Sequence, residues 1–216
     1  MKQILTDKDR SLLDRQIVET EKLTGTQIVV ASVLRSDSYA EIPWKAFAIG
    51  ASLASLLSLF LDLFVLGWIT NTLILFSIAM ILATGAIFAL LTVLCPRFAR
   101  LFLSSQRKET ETMQYAESLF LSNELFSTER RSGILLLLSQ FERQVVILPD
   151  TGVRDLLSNE VLDEVISKMT HHLRKNELRQ AMDKGLEGIH TALASPVSGR
   201  TGINELSNEI IEEEGV

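Results

Sequence analysis

Charged side chains punctuate this chain at ordinary intervals except between Ala46 and Cys95, where Asp62 and Cys95 are the only ionisable groups. A helix rises about 1.5 Å per residue, so about 20 apolar residues cross a hydrocarbon layer about 30 Å thick. Two stretches reach that length, AFAIGASLASLLSLFLDLFVLGW at Ala46–Trp68 and LILFSIAMILATGAIFALLTVLC at Leu73–Cys95. Only Ile69–Thr72 separates them, with Asn71 suited to a turn, so the pattern predicts an antiparallel transmembrane hairpin. Arg35 and Lys45 precede the first span, Arg97, Arg100, Arg107 and Lys108 follow the second, and the tip carries no basic residue. That bias predicts a multi-pass protein of the cytoplasmic (inner) membrane with both termini cytoplasmic. The amino-terminal MKQILTDKDR has no apolar run of the secretory kind.

Within the spans, Gly50, Ala54 and Ser58 recur every fourth residue. They form a small-residue face that would admit the second span or, in a homo-oligomer, a sister chain. Asp62 is the one intramembrane carboxylate, with no Lys, Arg or His in either span to pair with it. Its place about two turns from the tip brings it near headgroups and water; the competing role is a polar contact in an oligomer or an ion path. Cys95, the single cysteine, excludes an intrachain disulfide and a cysteine metal cage.

The flanks read as two parts of one α/β domain. LTDKDRSLLDRQIVETEKLTG predicts a helix capped by Thr6 and ended by Gly25, and QIVVASVL at Gln27–Leu34 is continuous enough for a strand covered on both faces. After the hairpin come a helix at Glu109–Leu121 and two strands, Gly133–Ser139 and Gln144–Pro149, paired antiparallel about QFER. Helices then follow over SNEVLDEVISKMTHHLRK, with Ser158 as cap, and NELRQAMDKGLEGIHTALA. The organisation predicted is 1–45 and 96–194 as the divided domain, 46–95 as the hairpin and 195–216 as an acidic, solvated tail. That tail has an apolar side, Ile203, Leu206, Ile210 and Ile211, by which it can dock back. The fold class is α/β, helices packed on a small mixed sheet. An even number of spans returns the chain to one side, so the first strand can join the later two.

A net charge of −6 without a basic stripe argues against nucleic-acid binding. Strand ends are where open α/β sheets hold ligands. The candidates are therefore Asp37 and Glu41 after the first strand, Arg130, Arg131, Ser132 and Gly133 at the start of the second, and Asp150, Thr151 and Gly152 after the third. Arg130 and Arg131 suit an anion, phosphate or a lipid headgroup; Asp37 with Asp150 would suit calcium or magnesium. His171 and His172 are adjacent and diverge by about 100° on a helix, with His190 on another helix, which argues against zinc. Walker, GxGxxG, GxSxG and HExxH motifs are absent.

Taken together, TGTQIVVASVLRSDSY, FSTERRSGILLLLSQFERQVVILPDTGVRDLL, KGLEGIHTALA and the NEL at Asn204–Leu206 resemble the TPM-domain family. That domain is named after a thylakoid lumen protein, a photosystem II repair factor and a nematode receptor modulator. The sequence looks like a bacterial, membrane-anchored branch in which a two-span hairpin divides a TPM-like domain. The resemblance implies either a non-enzymatic interaction module for assembly or quality control of an inner-membrane complex, or a weak acid phosphatase dependent on calcium or magnesium. In the second case Asp37, Asp150 and Arg131 would carry the chemistry. Many family members place an acidic or amide residue just before the glycine that opens the second strand; here it is Ser132, after Arg131. The departure removes a possible metal ligand. The hairpin implies membrane lipids as partners, and the resemblance implies a membrane-protein partner, such proteins resembling companions of LemA-type membrane proteins.

Overall fold

A computed structural model describes residues 5–66, 71–194 and 210–215. Its contacts divide the chain into two units, Met1–Asp37 with Lys108–Val216, and Ser38–Arg107.

In the first unit, α1 (Asp7–Thr24) starts where Thr6 accepts a hydrogen bond from the Asp9 amide. It ends at Gly25, which takes the left-handed conformation (φ 66°) and donates its amide to Glu21 O. Strand β1 (Gln27–Arg35) leads out of this unit, and the chain returns through helix α5, described below, to β2 (Gly133–Ser139) and β3 (Gln144–Pro149). The sheet order is β3-β2-β1-β4, with β4 at Ile211–Gly215, β1 parallel to β2 and β2 antiparallel to β3. All seven residues of β2 are buried. Alternate side chains point to opposite faces of a strand, so Ile134, Leu136 and Leu138 meet Leu13 and Ile17 of α1 and a group of carboxyl-terminal residues including Met169 and Met182. Leu135 and Leu137 meet Ala116 and Leu119 on the other face. A strand covered on both faces has no polar face to show, and GILLLLS is unbroken for that reason.

The second unit contains α2 (Glu41–Leu61), extended by a π-helical turn at Asp62–Leu66, α3 (Asn71–Leu94), α4 (Pro96–Ala99) and a 3-10 turn at Arg100–Phe102. Helices α2 and α3 pack closely: a Cβ on Gly50 would lie 2.8 Å from the Phe88 ring, and one on Gly85 would lie 2.8 Å from the Phe47 ring. Gly50, the first residue of the small-residue face, thus faces the second helix of the hairpin. Glu41–Phe64 and Ile74–Leu94 are long and apolar enough to cross a membrane, and only 6% of the most apolar window of each is buried. Outward-facing Leu53, Leu56, Phe60, Leu75, Phe76 and Leu90 are all more than half exposed. Asn71 and Thr72 begin α3 and are not in a turn; the rest of the predicted tip, Ile69 and Thr70, lies outside the described residues.

Helix α5 (Ser105–Ser122) starts four residues before its expected position. Beyond β3 the chain forms α6 (Thr151–Arg154), α7 (Asn159–Arg174), capped by Ser158, and α8 (Leu178–Ala194). Residues 195–209, which hold Ile203, Leu206 and the Asn204–Leu206 segment, lie outside the described residues. The end of the tail is not solvated coil but strand β4 (Ile211–Gly215), parallel to β1 at the sheet edge. Its alternation reaches both faces. Ile210 joins the α1 side, where Arg10 Nη2 donates to Glu212 at 2.9 Å, and Ile211 joins the α5 side, where the Tyr115 hydroxyl donates to Glu213. Charged residues on an edge strand also discourage pairing with other chains.

Two stability predictions follow from this packing, for urea unfolding in mild detergent. Leu136→Ala should cost about 2–5 kcal/mol through the cavity it leaves, whereas Glu212→Ala, at a partly solvated pair, should cost under about 1 kcal/mol. Burial and the Glu213 carboxylate raise the Tyr115 phenol above its usual value. The stability it contributes should therefore be complete below about pH 10 and fall as pH rises past that value, and Tyr115→Phe should flatten that fall.

Candidate functional site

The segment before β2 is a tight turn. Thr128 closes it, its carbonyl accepting from the Arg131 amide at 2.9 Å and its hydroxyl from the Ser132 amide at 2.9 Å. Arg131 adopts a left-handed backbone, φ 53°, a conformation that costs a non-glycine residue energy and needs support from its surroundings. The support comes from the end of β3. Arg131 Nη2 donates to Asp150 Oδ1 at 3.0 Å, Nε lies 2.8 Å from Oδ2, and the Arg131 carbonyl accepts from the Gly152 amide at 2.9 Å. Asp150 is 4% exposed, and it also accepts from the Thr151 amide at 2.7 Å as the cap of α6.

Two glycines permit this clasp. A Cβ on Gly152 would fall 2.1 Å from Arg130 O and 2.7 Å from Arg131 O, and one on Gly133 would fall 2.4 Å from Leu125 O. Ser132 is buried, and its carbonyl accepts from the Gln27 amide, continuing the β1–β2 ladder. Arg130 is exposed. The structure thus brings Arg131, Ser132, Gly133, Asp150 and Gly152 together at one end of the sheet.

Asp37 is elsewhere. Because β1 is parallel to β2 and β3 is antiparallel, the residue after β1 and the residue after β3 lie at opposite ends of the sheet. The six steps from Gly133 to Ser139 separate those ends by about 20 Å. Calcium and magnesium gather their oxygens within about 2.6 Å, so Asp37 and Asp150 do not form one cation site. Asp150 is in addition already neutralised by a guanidinium. Among the described residues no group of three or more His, Cys, Asp or Glu is placed to hold a metal ion. Glu41, in the other unit, lies 3.8 Å from Lys45 Nζ and 3.9 Å from Arg107 Nε. The His171 and His172 rings stand edge to face at 87°, and His172 Nδ1 contacts Glu177 at 2.7 Å. His190 lines a separate cleft between α1 and α8, with Glu19, Asp183 and Glu187; burial raises the Asp183 carboxyl above its usual value.

A second polar cluster was not apparent from the sequence. At the far end of β2, Glu142 is 2% exposed, accepting from the Ser36 amide at 2.9 Å and from the Ser139 hydroxyl. Ser36 Oγ and Ser139 Oγ are 2.9 Å apart, and Gln140 Nε2 donates to Ser32 Oγ at 3.0 Å. Read along the chain, Glu142 is one charge in a four-residue turn; only Ser36, far away in sequence, reveals that it is buried.

Residues 97–192 match the family model described as the TPM domain. That stretch contains the Arg131–Asp150 clasp but not α1 and β1, which complete the sheet from the other side of the apolar hairpin. Among solved structures, the chain resembles the NMR structure of the BA42 protein from the psychrophilic bacterium Bizionia argentinensis, with a TM-score of 0.59 at 15% identity. The match covers 98% of this chain and 97% of that one, a likeness of fold. No curated protein matches the sequence.

Arg131→Ala should strand a buried carboxylate at a cost of about 1–3 kcal/mol, with half-exposure of the arginine moderating the loss. Arg131→Lys, which keeps the charge without the fork, should fall between it and the native chain. Gly152→Ala should be worse than either, since its methyl group meets two backbone carbonyls that cannot move without opening the turn. Thermal unfolding in mild detergent ranks the three.

Proposed function

Since the chain carries a TPM domain completed across an apolar helical hairpin, we propose that it is a membrane-tethered interaction module. In this reading the domain serves assembly or quality control of a complex in the cytoplasmic membrane. The observation that carries the reading is the hairpin itself: two helices of membrane-spanning length that pack on each other and leave most of their leucines and phenylalanines outward. So large an exposed apolar surface belongs in lipid, where helices also satisfy their own backbone groups. Lys45, Arg97, Arg100 and Arg107 at the open end, with Asp62 alone toward the tip, favour both termini on the cytoplasmic side. The partner we propose is another integral membrane protein, with a LemA-type protein the first to test.

The phosphatase alternative loses ground for a chemical reason. Its donors are split, Asp37 from Asp150, and Asp150 is occupied by Arg131 and the start of α6. We therefore propose no calcium or magnesium step. The full chain in mild detergent should hydrolyse a generic phosphate ester no faster with calcium or magnesium than an Asp150→Ala control. Metal-dependent turnover lost in that control would reverse the choice.

Topology is tested with single cysteines at positions 3, 71 and 207 in a Cys95→Ser background. An impermeant reagent on intact cells should label position 71 alone, and labelling at 3 or 207 would invert the orientation. Asp62→Asn should insert as efficiently as the native chain, since the tip lies near headgroups and water.

A further inference from the structure

The open end of the hairpin has an unusual composition. Gly50 meets Phe88 across the helix pair, so Lys45, five residues or about 7.5 Å back along α2, lies near the level where α3 ends at Leu94. Cys95 is extended and Pro96 starts a new helix, so the chain turns at that level. Phe98 then stacks edge-on against Phe88 at 5.8 Å and against Phe102 at 5.2 Å, holding the turn to the hairpin's end. Trp44, 74% exposed, and Leu101, 76% exposed, stay outside this packing, as do Val93 and Leu94 at the end of α3. Lys45, Arg97, Arg100 and Arg107 surround them in sequence, and the Glu41 carboxylate draws Lys45 and Arg107 to one spot. In sequence, the segments 41–45 and 96–107 carry four basic residues and one carboxylate, in a chain whose net charge is −6.

We propose that this collar is a binding site for the headgroups of anionic phospholipids. The proposal rests on the reading of the hairpin as membrane-spanning and adds a specificity that spanning alone does not require. A phosphodiester takes two parallel hydrogen bonds from a guanidinium; Arg97 offers such a fork, and Arg100, whose Nε donates to Pro96 O at 3.2 Å, adds positive charge beside it. Trp44 and Leu101 belong at the boundary between headgroups and hydrocarbon, where an indole keeps its ring in apolar surroundings and its N–H in reach of polar ones. Free phosphate would use the cations but not the tryptophan and leucine. A lipid uses both.

The test employs the full chain carrying Trp68→Phe, which leaves Trp44 as the sole tryptophan. It is reconstituted in mixed phosphatidylcholine and phosphatidylglycerol bilayers, one or the other lipid being brominated at equal mole fraction. Brominated phosphatidylglycerol should quench Trp44 more strongly, corresponding to a preference of at least about threefold. Arg97→Gln with Arg100→Gln should bring the ratio close to one, and the paired Lys variants should retain part of it. Raising the salt should lower the preference of the native arginines as well, a reading that needs no collar variant. Equal quenching by the two lipids, or a preference untouched by both the Gln pair and salt, overturns the lipid site while leaving the hairpin in the membrane. Quenching by neither lipid overturns the hairpin reading and the site with it.

Discussion

Strand β1 has to find β2 after some hundred intervening residues, about half of them in an apolar hairpin, and the rest of the domain depends on that pairing. The seven-residue parallel register from Gln27 with Gly133 to Val33 with Ser139 places β1 inside the sheet. From there it buries Ile28 and Val30 toward α1 and Val29 and Ala31 toward α5. A strand buried on both faces cannot be left unpaired, because its amides and carbonyls would lose water and gain nothing. An insertion that leaves and returns at one level meets this requirement. Antiparallel helices in contact, typically 8–10 Å apart, bring the two ends of the hairpin back beside each other.

The same pairing determines what the sheet end can do. With β1 and β2 parallel and β3 reversed, Asp150 comes to the start of β2 and meets Arg131, while Asp37 goes to the opposite end. A carboxylate hydrogen-bonded at one oxygen and ion-paired at the other by a guanidinium, and capping a short helix, holds the turn closed. The polar cluster of Ser36, Ser139 and Glu142 holds the other end of β2 in a similar way. Both ends of β2 are thus fastened by side chains from other segments of the chain.

How much of this is legible in the sequence depends on where each signal resides. Strands β1 and β2 are written as unbroken aliphatic runs because both of their faces are covered, and α1, α7 and α8 announce themselves through Thr6, Ser158 and their apolar stripes. Strand β4 is not written that way. IEEEG has no aliphatic run, and its glutamates are held by Arg10, 202 positions away, and Tyr115, 98 positions away. The separation of Asp37 from Asp150 is equally hidden, since the short QFER turn gives the reversal of β3 but chain order does not give the direction of β1 against β2. Glu142 looks like a turn residue until Ser36 is brought beside it.

The proposed role requires that one domain be assembled across the apolar hairpin and that the hairpin hold it in the membrane. Replacing Ala46–Cys95 with a Gly/Ser linker of about ten residues tests it most directly, with urea unfolding followed by both circular dichroism and fluorescence. A water-soluble protein should result that unfolds in one transition by both probes and loses α7 and α8 together with the sheet when Val30→Asp places a charge in the shared core. A linker protein that still sediments with membranes, or one whose carboxyl-terminal part keeps its stability in the Val30→Asp variant, would contradict that requirement.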